Sequence, residues 1–363
     1  MLVSCARRLY GDLDTLVAQI QMKAAFALRP GIVQIEDRPI PGVGPGDVLV
    51  KMRACGVCGT DIEKVRGLHI TPPMLGHEVV GEIAEIGEQV KGFGIGQRVF
   101  VHHHVSCYVC HYCRRGDYTM CDSFVQTTIE PCGFAEYFRV PRTNVEHGAI
   151  LELPSSISYE EGTLIEPTAC CIRGLSKSRI RPGDDFVVIG CGPIGLTHIR
   201  LLTIFGAGRI FGTDVVGFRL DAAKKLGASA VLNPRTEDVV ERVREQTNGR
   251  GADGVIVSVG APEAVLQAIE LVRKGGVVVL FGAPSRGAML SYDVSNVFLK
   301  EVSLIPSYST SELETNAALE LMSSDRLDLS SIITHRFWLE DAAEAIRCAA
   351  EAKDSLKVIV HSG

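Results

Sequence analysis

The sequence contains no uninterrupted apolar run that approaches the roughly 20 residues of a membrane-spanning helix. It has no long basic run and its net charge is −6, so we expect neither a membrane nor a nucleic acid as a partner. Residues 1–21 lack the apolar core of a secretory signal, and no segment is repeated or of low complexity. With 12 cysteines and no sign of secretion, the sequence favours metal binding over a disulfide framework and predicts a cytoplasmic protein.

The two halves of the chain follow different secondary-structure patterns. Between residues 22 and about 140, short strands such as Asp47–Met52 are separated by glycine and proline, which is typical of a compact β-barrel-like domain. From about Gly183 onward, apolar strands such as Phe186–Gly190 alternate with helical patterns. That alternation predicts an α/β domain with a doubly wound parallel sheet, in which Val302–Pro306 is the sixth strand.

The length of 363 residues indicates about two domains. The first predicted domain covers residues 22–170, and the second, which contains the parallel sheet, covers residues 171–308. A closing strand at Lys357–Val360 has no place left in a complete six-stranded sheet, so we expect residues 309–363 to return and complete the first domain. Residues 1–21 form an N-terminal extension in this division.

A glycine turn follows the first strand of the predicted parallel sheet. Gly190, Gly192 and Gly195 have the spacing G-x-G-x-x-G, in which the three glycines allow a tight turn, close approach to a pyrophosphate and helix packing. The phosphates would lie on the free N–H groups of the next helix, which includes Pro193 and Ile194. The alternative is a turn that is merely rich in glycine.

An acidic residue ends the following strand. Asp214 comes after Gly190 at roughly the 20-residue distance of the carboxylate that binds ribose hydroxyls in dinucleotide sites. A carboxylate repels a 2′-phosphate, and no arginine directly follows Asp214. The sequence therefore predicts NAD rather than NADP as the cofactor.

Four cysteines are clustered in the first domain with regular spacing. Cys107, Cys110, Cys113 and Cys121 follow the pattern C-x2-C-x2-C-x7-C, which suits four thiolates around one tetrahedral zinc ion. Unligated loop thiols are the alternative. A closed site of four cysteines leaves no position for a substrate, so we assign it a structural role.

A second set of candidate metal ligands is dispersed along the chain. Cys58 lies in a C-G-T-D motif, His77 and Glu78 lie in G-H-E, and Glu166 lies in L-I-E-P. Taken singly, they could be a buried thiol, a core histidine and a helix-capping carboxylate. Together they offer the mixed ligands of a zinc site that keeps one position open.

These motifs, in this order, resemble those of the zinc-containing medium-chain dehydrogenase/reductase family, which includes alcohol, polyol and threonine dehydrogenases. The resemblance covers the chain from Met22 to its end. It implies a GroES-like catalytic domain and a Rossmann domain. It also implies association into homodimers or homotetramers, usually through the edge of the Rossmann sheet and sometimes through the zinc lobe. The L-I-E-P segment around Glu166 is similar to the polyol and threonine branch.

The resemblance also implies roles for individual residues. Cys58 and His77 correspond to ligands of the catalytic zinc. The third ligand is either Glu78, which we prefer, or Glu166, and the alternatives stay open at this point. Arg219 matches a position near the cofactor ribose, with a solvated helix residue as the alternative.

The resemblance further implies a proton relay that leads away from the zinc. Thr60 would pass on the proton of the substrate hydroxyl, and Asp61 would orient the imidazole of His77. Many relatives have a histidine three positions after the hydroxyl residue, whereas this chain has Glu63. A carboxylate titrates lower than an imidazole, which puts the last step of the relay and the pH optimum in question.

The predicted function is oxidation of a secondary alcohol, such as a polyol, cyclitol or sugar-derived alcohol, to a ketone by hydride transfer to NAD. Two zinc ions per chain are expected, one catalytic and one structural. A simple alcohol dehydrogenase and an L-threonine dehydrogenase are the nearest alternatives. A zinc-free reductase of the same fold and an inactive nucleotide- or zinc-binding relative are the others.

Overall fold

A computed structural model describes residues 21–68 and 74–363. Described residues up to 166 form one compact unit with 310–323 and 333–363, and the second unit consists of 167–309 and 324–332. This division differs from the predicted boundaries by a few residues and by residues 324–332, which group with the second unit. The predicted extension lies outside the described residues, apart from Gln21 at the start of the first strand.

The strands of the first unit pair antiparallel, except that the last two along the chain pair in parallel with each other. Its first two strands form a hairpin, and the other seven form one sheet. The strands are β1 (Gln21–Arg29), β2 (Ile32–Pro39), β3 (Val48–Gly56), β4 (Glu78–Ile86), β5 (Arg98–Val101), β6 (Tyr137–Val140) and β7 (Ile150–Glu152), followed after the second unit by β14 (Ile333–Trp338) and β15 (Lys357–His361).

The pairing of β3 with β4 and β15 brings together residues that are far apart in the sequence. Gly56 at the end of β3 lies opposite Glu78 at the start of β4 and opposite Ile359 in β15. The closing strand therefore belongs to the sheet of the first unit. Lys357 begins that strand, so it starts near the junction of β3 and β4.

The second unit contains a six-stranded sheet in which all neighbouring strands are parallel. Its strands are β8 (Phe186–Ile189), β9 (Ile210–Thr213), β10 (Ala230–Leu232), β11 (Ala252–Val257), β12 (Val272–Leu280) and β13 (Ser303–Pro306). They are arranged in the order β10-β9-β8-β11-β12-β13. This is the dinucleotide-binding order 3-2-1-4-5-6, whose strand order reverses at β8, where ligands bind. The predicted fold class is confirmed.

The helices of the described residues are short to medium in length. They are α1 (Gly59–Val65), α2 (Arg142–Glu146), α3 (Tyr159–Gly162), α4 (Ile165–Ser178), α5 (Pro193–Ile204), α6 (Gly217–Lys225), α7 (Val239–Gln246), α8 (Pro262–Leu271), α9 (Val294–Lys300), α10 (Glu312–Ser323) and α11 (Ala342–Glu351). None of the helices within residues 21–68 and 74–363 is long and apolar enough to cross a membrane.

Each unit has a hydrophobic core of its own. In the first, Val50 and Phe134 are completely buried in a cluster that includes Ile346 of α11. In the second, Val187 and Val255 on neighbouring central strands pack with Leu271 of α8. The continuous apolar runs of β8 and β11 suit a parallel sheet that is covered by helices on both faces.

Candidate active site

The four clustered cysteines form a lobe in which every thiol faces the same point. Their sulfur atoms all lie within 4.8 Å of one another. Short 3₁₀ turns at Cys113–Arg115 and Tyr118–Met120 bend the chain around this point, beside the fully buried ring of Phe124. The arrangement fits one tetrahedral zinc ion.

Backbone amides donate hydrogen bonds to sulfur atoms of the lobe and favour the thiolate form of Cys107. The N–H of Cys107 donates to Cys121 Sγ at 3.4 Å, and the N–H of Cys110 donates to Cys107 Sγ at 3.4 Å. Hydrogen bonds from the amides of Val109 and Cys110 lower the pKa of the Cys107 thiol to about 6. A thiol that ionises near neutral pH is a suitable metal ligand.

A second group combines three chemically different ligands. The sulfur of Cys58, an imidazole nitrogen of His77 and a carboxylate oxygen of Glu78 lie within 4.8 Å of one another. Cys58 is the residue before the first turn of α1, and the other two residues lie where the chain enters β4. One sulfur, one nitrogen and one oxygen are the ligand types of a catalytic zinc site with an open fourth position.

Asp61 supports this group through the backbone. Its carboxylate is completely buried and accepts the N–H of Cys58 at 3.0 Å and the N–H of Gly76 at 2.9 Å. The distance from Asp61 Oδ1 to His77 Nδ1 is 3.8 Å, longer than a hydrogen bond. Asp61 therefore holds the two ligand-bearing segments in place, whereas the sequence suggested direct orientation of the imidazole.

The surroundings of His77 are strongly negative. Burial lowers the pKa of its imidazole, but the nearby groups Cys58, Asp61 and Glu166 outweigh this effect and raise the pKa to about 10. A site that favours the cationic form of an imidazole so strongly also attracts a divalent cation. The donor atoms of this group and the negative electrostatic potential around them both fit a zinc ion.

Glu78 has a buried ionic partner that sequence reasoning missed. The ammonium group of Lys357 pairs with the Glu78 carboxylate, and these side chains are only 4% and 1% exposed. Lys357 Nζ also donates to the carbonyl oxygen of Val57 at 3.1 Å. Burial raises the pKa of Glu78, and the lysine opposes that rise. The only signal in the sequence was a lysine in an otherwise apolar closing strand.

Gly56 provides the space for this pair. A Cβ atom at this position would overlap the Glu78 carboxylate and would lie 2.7 Å from Cε of Lys357. The ion pair of Glu78 and Lys357 thus explains why a glycine occupies position 56, two residues before Cys58.

Glu166, the other candidate for the third ligand, lies outside the three-residue group of described residues. It is buried in the first turn of α4 and acts electrostatically on both His77 and Glu78. The geometry therefore favours Glu78 as the ligand. Glu166 is left as an electrostatic neighbour of the group.

The two candidate relay residues share one helix. Thr60 and Glu63 are three positions apart in α1, so they lie on the same face of the helix, one turn from each other. Both are half-buried. This spacing suits a path that leads from the metal group towards the surface.

Three successive histidines after β5 form a further part of the site that sequence reasoning missed. The ring of His103 lies 4.9 Å from that of His77, and the ring of His104 lies 4.0 Å from that of His103, centroid to centroid. Burial and the neighbouring positive groups lower the pKa of His103 well below its usual range. The metal group thus has a neutral imidazole beside it.

In the turn after β8, a different physical reason accounts for glycine at each of the three positions. Gly190 has a φ of +91°, and a Cβ there would lie 2.6 Å from Val259. A Cβ on Gly195 would overlap the carbonyl oxygen of Gly190. At Gly192, which precedes α5, a Cβ would meet only Arg219, at 3.8 Å. Nothing within the described chain requires a glycine at Gly192, which is the position where a pyrophosphate approaches the backbone.

Pro193 and Ile194 occupy the first turn of α5, where a proline at the first helical position costs no hydrogen bond. The other N–H groups of a first helical turn have no acceptor within the helix. This is the geometry that binds phosphate groups at a helix N-terminus.

Asp214 is connected to the glycine turn. Its carboxylate accepts the N–H of Cys191 at 2.8 Å and the N–H of Val216 at 2.9 Å. Each oxygen keeps a lone pair for a further donor, such as a ribose hydroxyl. The guanidinium of Arg219 lies 3.8 Å from Asp214 Oδ2, so an arginine stands beside the acid although none directly follows it in the sequence.

Two protein-family models match the chain. The alcohol dehydrogenase GroES-like domain matches residues 44–150, and the zinc-binding dehydrogenase domain matches residues 193–324. The first match includes both groups of metal-ligand candidates except Glu166, and the second begins at the glycine turn.

Individual proteins match over nearly the whole chain. Sorbitol dehydrogenase of Bacillus subtilis is 32% identical over 94% of this chain and 97% of its own. L-threonine 3-dehydrogenase of Pyrococcus horikoshii is 34% identical over 92% and 97%. A solved structure from Sinorhizobium meliloti 1021, described as a zinc-binding dehydrogenase bound to NADP, has a TM-score of 0.85 at 29% identity, covering 94% of this chain and 100% of that one.

Proposed function

This chain belongs to the zinc-containing medium-chain dehydrogenases, and from that premise we propose that it oxidises a secondary alcohol of a polyol, cyclitol or sugar derivative to the ketone with NAD. The observation that carries the proposal is the group formed by Cys58, His77 and Glu78. Its mixed donors suit a zinc ion with one position open to a substrate. The four-cysteine lobe would hold a second, structural zinc ion.

These residues would hold the metal, and the second unit would hold the nucleotide. When bound, zinc supplies a Lewis acid that eases loss of the hydroxyl proton near neutral pH. The cofactor supplies the hydride acceptor. Asp61 keeps the segments that bear Cys58 and His77 fixed, so the donors need no rearrangement when substrate arrives.

Thr60 and Glu63 would carry the hydroxyl proton away. The threonine hydroxyl both donates and accepts, so it can receive the proton and pass one on. Glu63, one turn further along α1, would accept it and release it to solvent. Because a carboxylate is a weaker base than imidazole, we propose this as the departure of this chain from its histidine-bearing relatives.

The substrate class distinguishes the proposal from its alternatives. Sorbitol dehydrogenase and L-threonine 3-dehydrogenase are both similar to this chain, so an amino alcohol is the second candidate. Initial rates with NAD and NADP on sorbitol, myo-inositol, L-threonine and propan-2-ol separate them. Faster turnover of the polyols supports the proposal, whereas full activity after removal of all metal contradicts it and favours a zinc-free reductase. A wild type that is inert on every alcohol favours a non-catalytic relative.

NAD preference is proposed from the surroundings of Asp214. The positive charge of Arg219 is already paired with this carboxylate, and the carboxylate itself repels a 2′-phosphate. We expect Asp214→Asn to lower the ratio of kcat/KM for NAD to that for NADP by at least about tenfold, because it removes the repulsion and releases the arginine.

Asp221→Asn is the control for the loss of one negative charge. Asp221 is exposed on α6, the helix that also bears Arg219. We expect Asp221→Asn to leave the ratio of kcat/KM values unchanged. A wild type that already prefers NADP, or an unchanged ratio in Asp214→Asn, contradicts the assignment.

We also propose a homo-oligomer that forms through the edge of the parallel sheet. Helix α9 has no buried residue, and Phe298 and Leu299 are 78% and 74% exposed. It precedes β13, the last strand of the sheet, whose outer edge has no partner strand among the described residues. An exposed apolar helix and an open sheet edge that follow each other in the chain suit a second copy of this chain.

Phe298→Asp is expected to shift the molar mass measured by light scattering from an oligomer to a monomer. A charge at this position would have to be desolvated in the interface. Ile95→Asp, at an apolar residue of the first unit that is 64% exposed, should leave the mass unchanged. A monomeric wild type refutes the proposal.

The location of the protein is proposed from its thiols. No disulfide joins the cysteines in the part of the chain that the structure describes, as is usual in a reducing compartment. We therefore propose that the protein is cytoplasmic.

A further inference from the structure

The histidines that follow β5 are not used by the proposed function, and the protein itself holds the outer two. His102 is completely buried, and its Nδ1 lies 3.4 Å from Glu312 Oε1. Nδ1 of His104 contacts the carbonyl oxygen of Thr127. Each of these two rings is therefore held by its own contact, one on either side of His103 in the chain.

His103, between them, is held in position without a partner for its own ring. Its carbonyl oxygen accepts the side-chain amide of Asn144 at 2.9 Å, which fixes the backbone. Its ring lies against His104 on one side and His77 on the other. Nδ1 is enclosed and has no hydrogen-bond partner among the described residues. The residue is only half-buried, and Nε2 is not among the enclosed polar atoms that lack a partner, so Nε2 is the more accessible ring nitrogen.

This placement makes Nε2 a hydrogen-bond donor. A neutral imidazole carries its proton on one nitrogen, and an enclosed N–H without an acceptor is rarer in proteins than an enclosed acceptor without a donor. The proton therefore belongs on Nε2, and a doubly protonated ring would carry a proton there as well. In either state, Nε2 carries an N–H on a ring that lies against the candidate ligand His77.

We propose that His103 is a specificity-determining residue that donates a hydrogen bond from Nε2 to a second oxygen of the substrate, on the carbon next to the one that is oxidised. The inference rests on the proposed function, since it takes the reacting oxygen to lie at the group that includes His77. The substrate class that fits is an alcohol with an adjacent hydroxyl, rather than an isolated secondary alcohol. A site with a donor of this kind loses affinity for an analogue that lacks the matching oxygen.

The test compares butane-2,3-diol with butan-2-ol, which differ only in the adjacent hydroxyl. The wild type should have the higher kcat/KM for the diol. His103→Phe keeps a planar ring but has no N–H, so the diol to mono-alcohol ratio should fall about tenfold, the effect of one lost hydrogen bond. His103→Gln, which retains an N–H donor, should keep most of the ratio. His104→Phe, the matched neighbour, should leave the ratio unchanged whatever it does to the two rates.

Binding provides a second readout that does not depend on turnover. Calorimetric titration of the zinc-loaded protein with each alcohol, without nucleotide, should show the same loss of diol preference in His103→Phe. If neither alcohol is oxidised but this binding difference appears, the proposed function fails and the role of His103 stands. If the wild type shows no preference for the diol in binding or turnover, or if His103→Phe keeps the preference, the inference is overturned.

Discussion

Cys58→Ser is expected to lower kcat/KM for alcohol oxidation by about 1000-fold. The thiolate is the strongest donor of the group formed with His77 and Glu78. Loss of zinc from this group removes several kcal/mol of charge stabilisation, and about 4 kcal/mol corresponds to a factor of 1000 in rate. The affinity for NADH, measured by fluorescence titration, should stay within about threefold, because the glycine turn belongs to the other compact unit.

Cys55→Ala is the matched control for this substitution. Cys55 belongs to the same short motif and is completely buried, but it lies outside both groups of metal-ligand candidates. Its removal should change kcat/KM by less than about tenfold, since it affects only packing. Cys58→Ser with more than a tenth of the wild-type activity would contradict the assignment of Cys58.

Lys357→Met is expected to destabilise the first unit by about 3–5 kcal/mol, the usual effect of removing one partner of a buried ion pair. The substitution leaves the Glu78 carboxylate buried without its ammonium partner. The chain has one tryptophan, Trp338, in the strand that pairs with β15. Urea titration of the zinc-loaded protein, followed by the fluorescence of this tryptophan, therefore reports on the relevant sheet.

Lys353→Met provides the comparison for an exposed pair. Lys353 lies 2.9 Å from Glu351, but its side chain is 78% exposed. Its removal should cost less than about 1 kcal/mol. If Lys357→Met costs no more than Lys353→Met, the buried pair has no structural role in the metal group.

Local patterns in the sequence were sufficient for the fold class and for the candidate ligands that the structure brings together in two groups. The alternation of apolar strands with helices is a short-range signal, and the structure has the predicted six parallel strands. The spacing of Cys107, Cys110, Cys113 and Cys121 is likewise short-range, because one loop can wrap an ion. The strand β14 and the helix α9 were not predicted, since neither has a strong periodic pattern.

Charge pairing across distant strands could not be predicted from the sequence. Lys357 meets Glu78 only because β15 pairs with β3 and β3 pairs with β4. Sequence alone predicts that a closing strand returns to the first domain, but not its register. One residue of slip would turn the lysine to the other face of the sheet.

The surroundings of the cofactor acid show the same limit at shorter range. Arg219 lies five positions after Asp214 in the chain, yet the first turn of α6 brings its guanidinium to 3.8 Å from the carboxylate. Likewise, His103 has no motif of its own. It enters the candidate site because the chain that leaves β5 passes against His77.

The zinc content of the purified protein tests the central claim most directly. Elemental analysis should find two zinc ions per chain in the wild type and one in Cys58→Ser, because the four-cysteine lobe keeps its ion when the mixed group loses its own. One zinc ion per chain in both proteins would leave the group of Cys58, His77 and Glu78 without a metal. That result would contradict zinc-dependent alcohol oxidation by this chain.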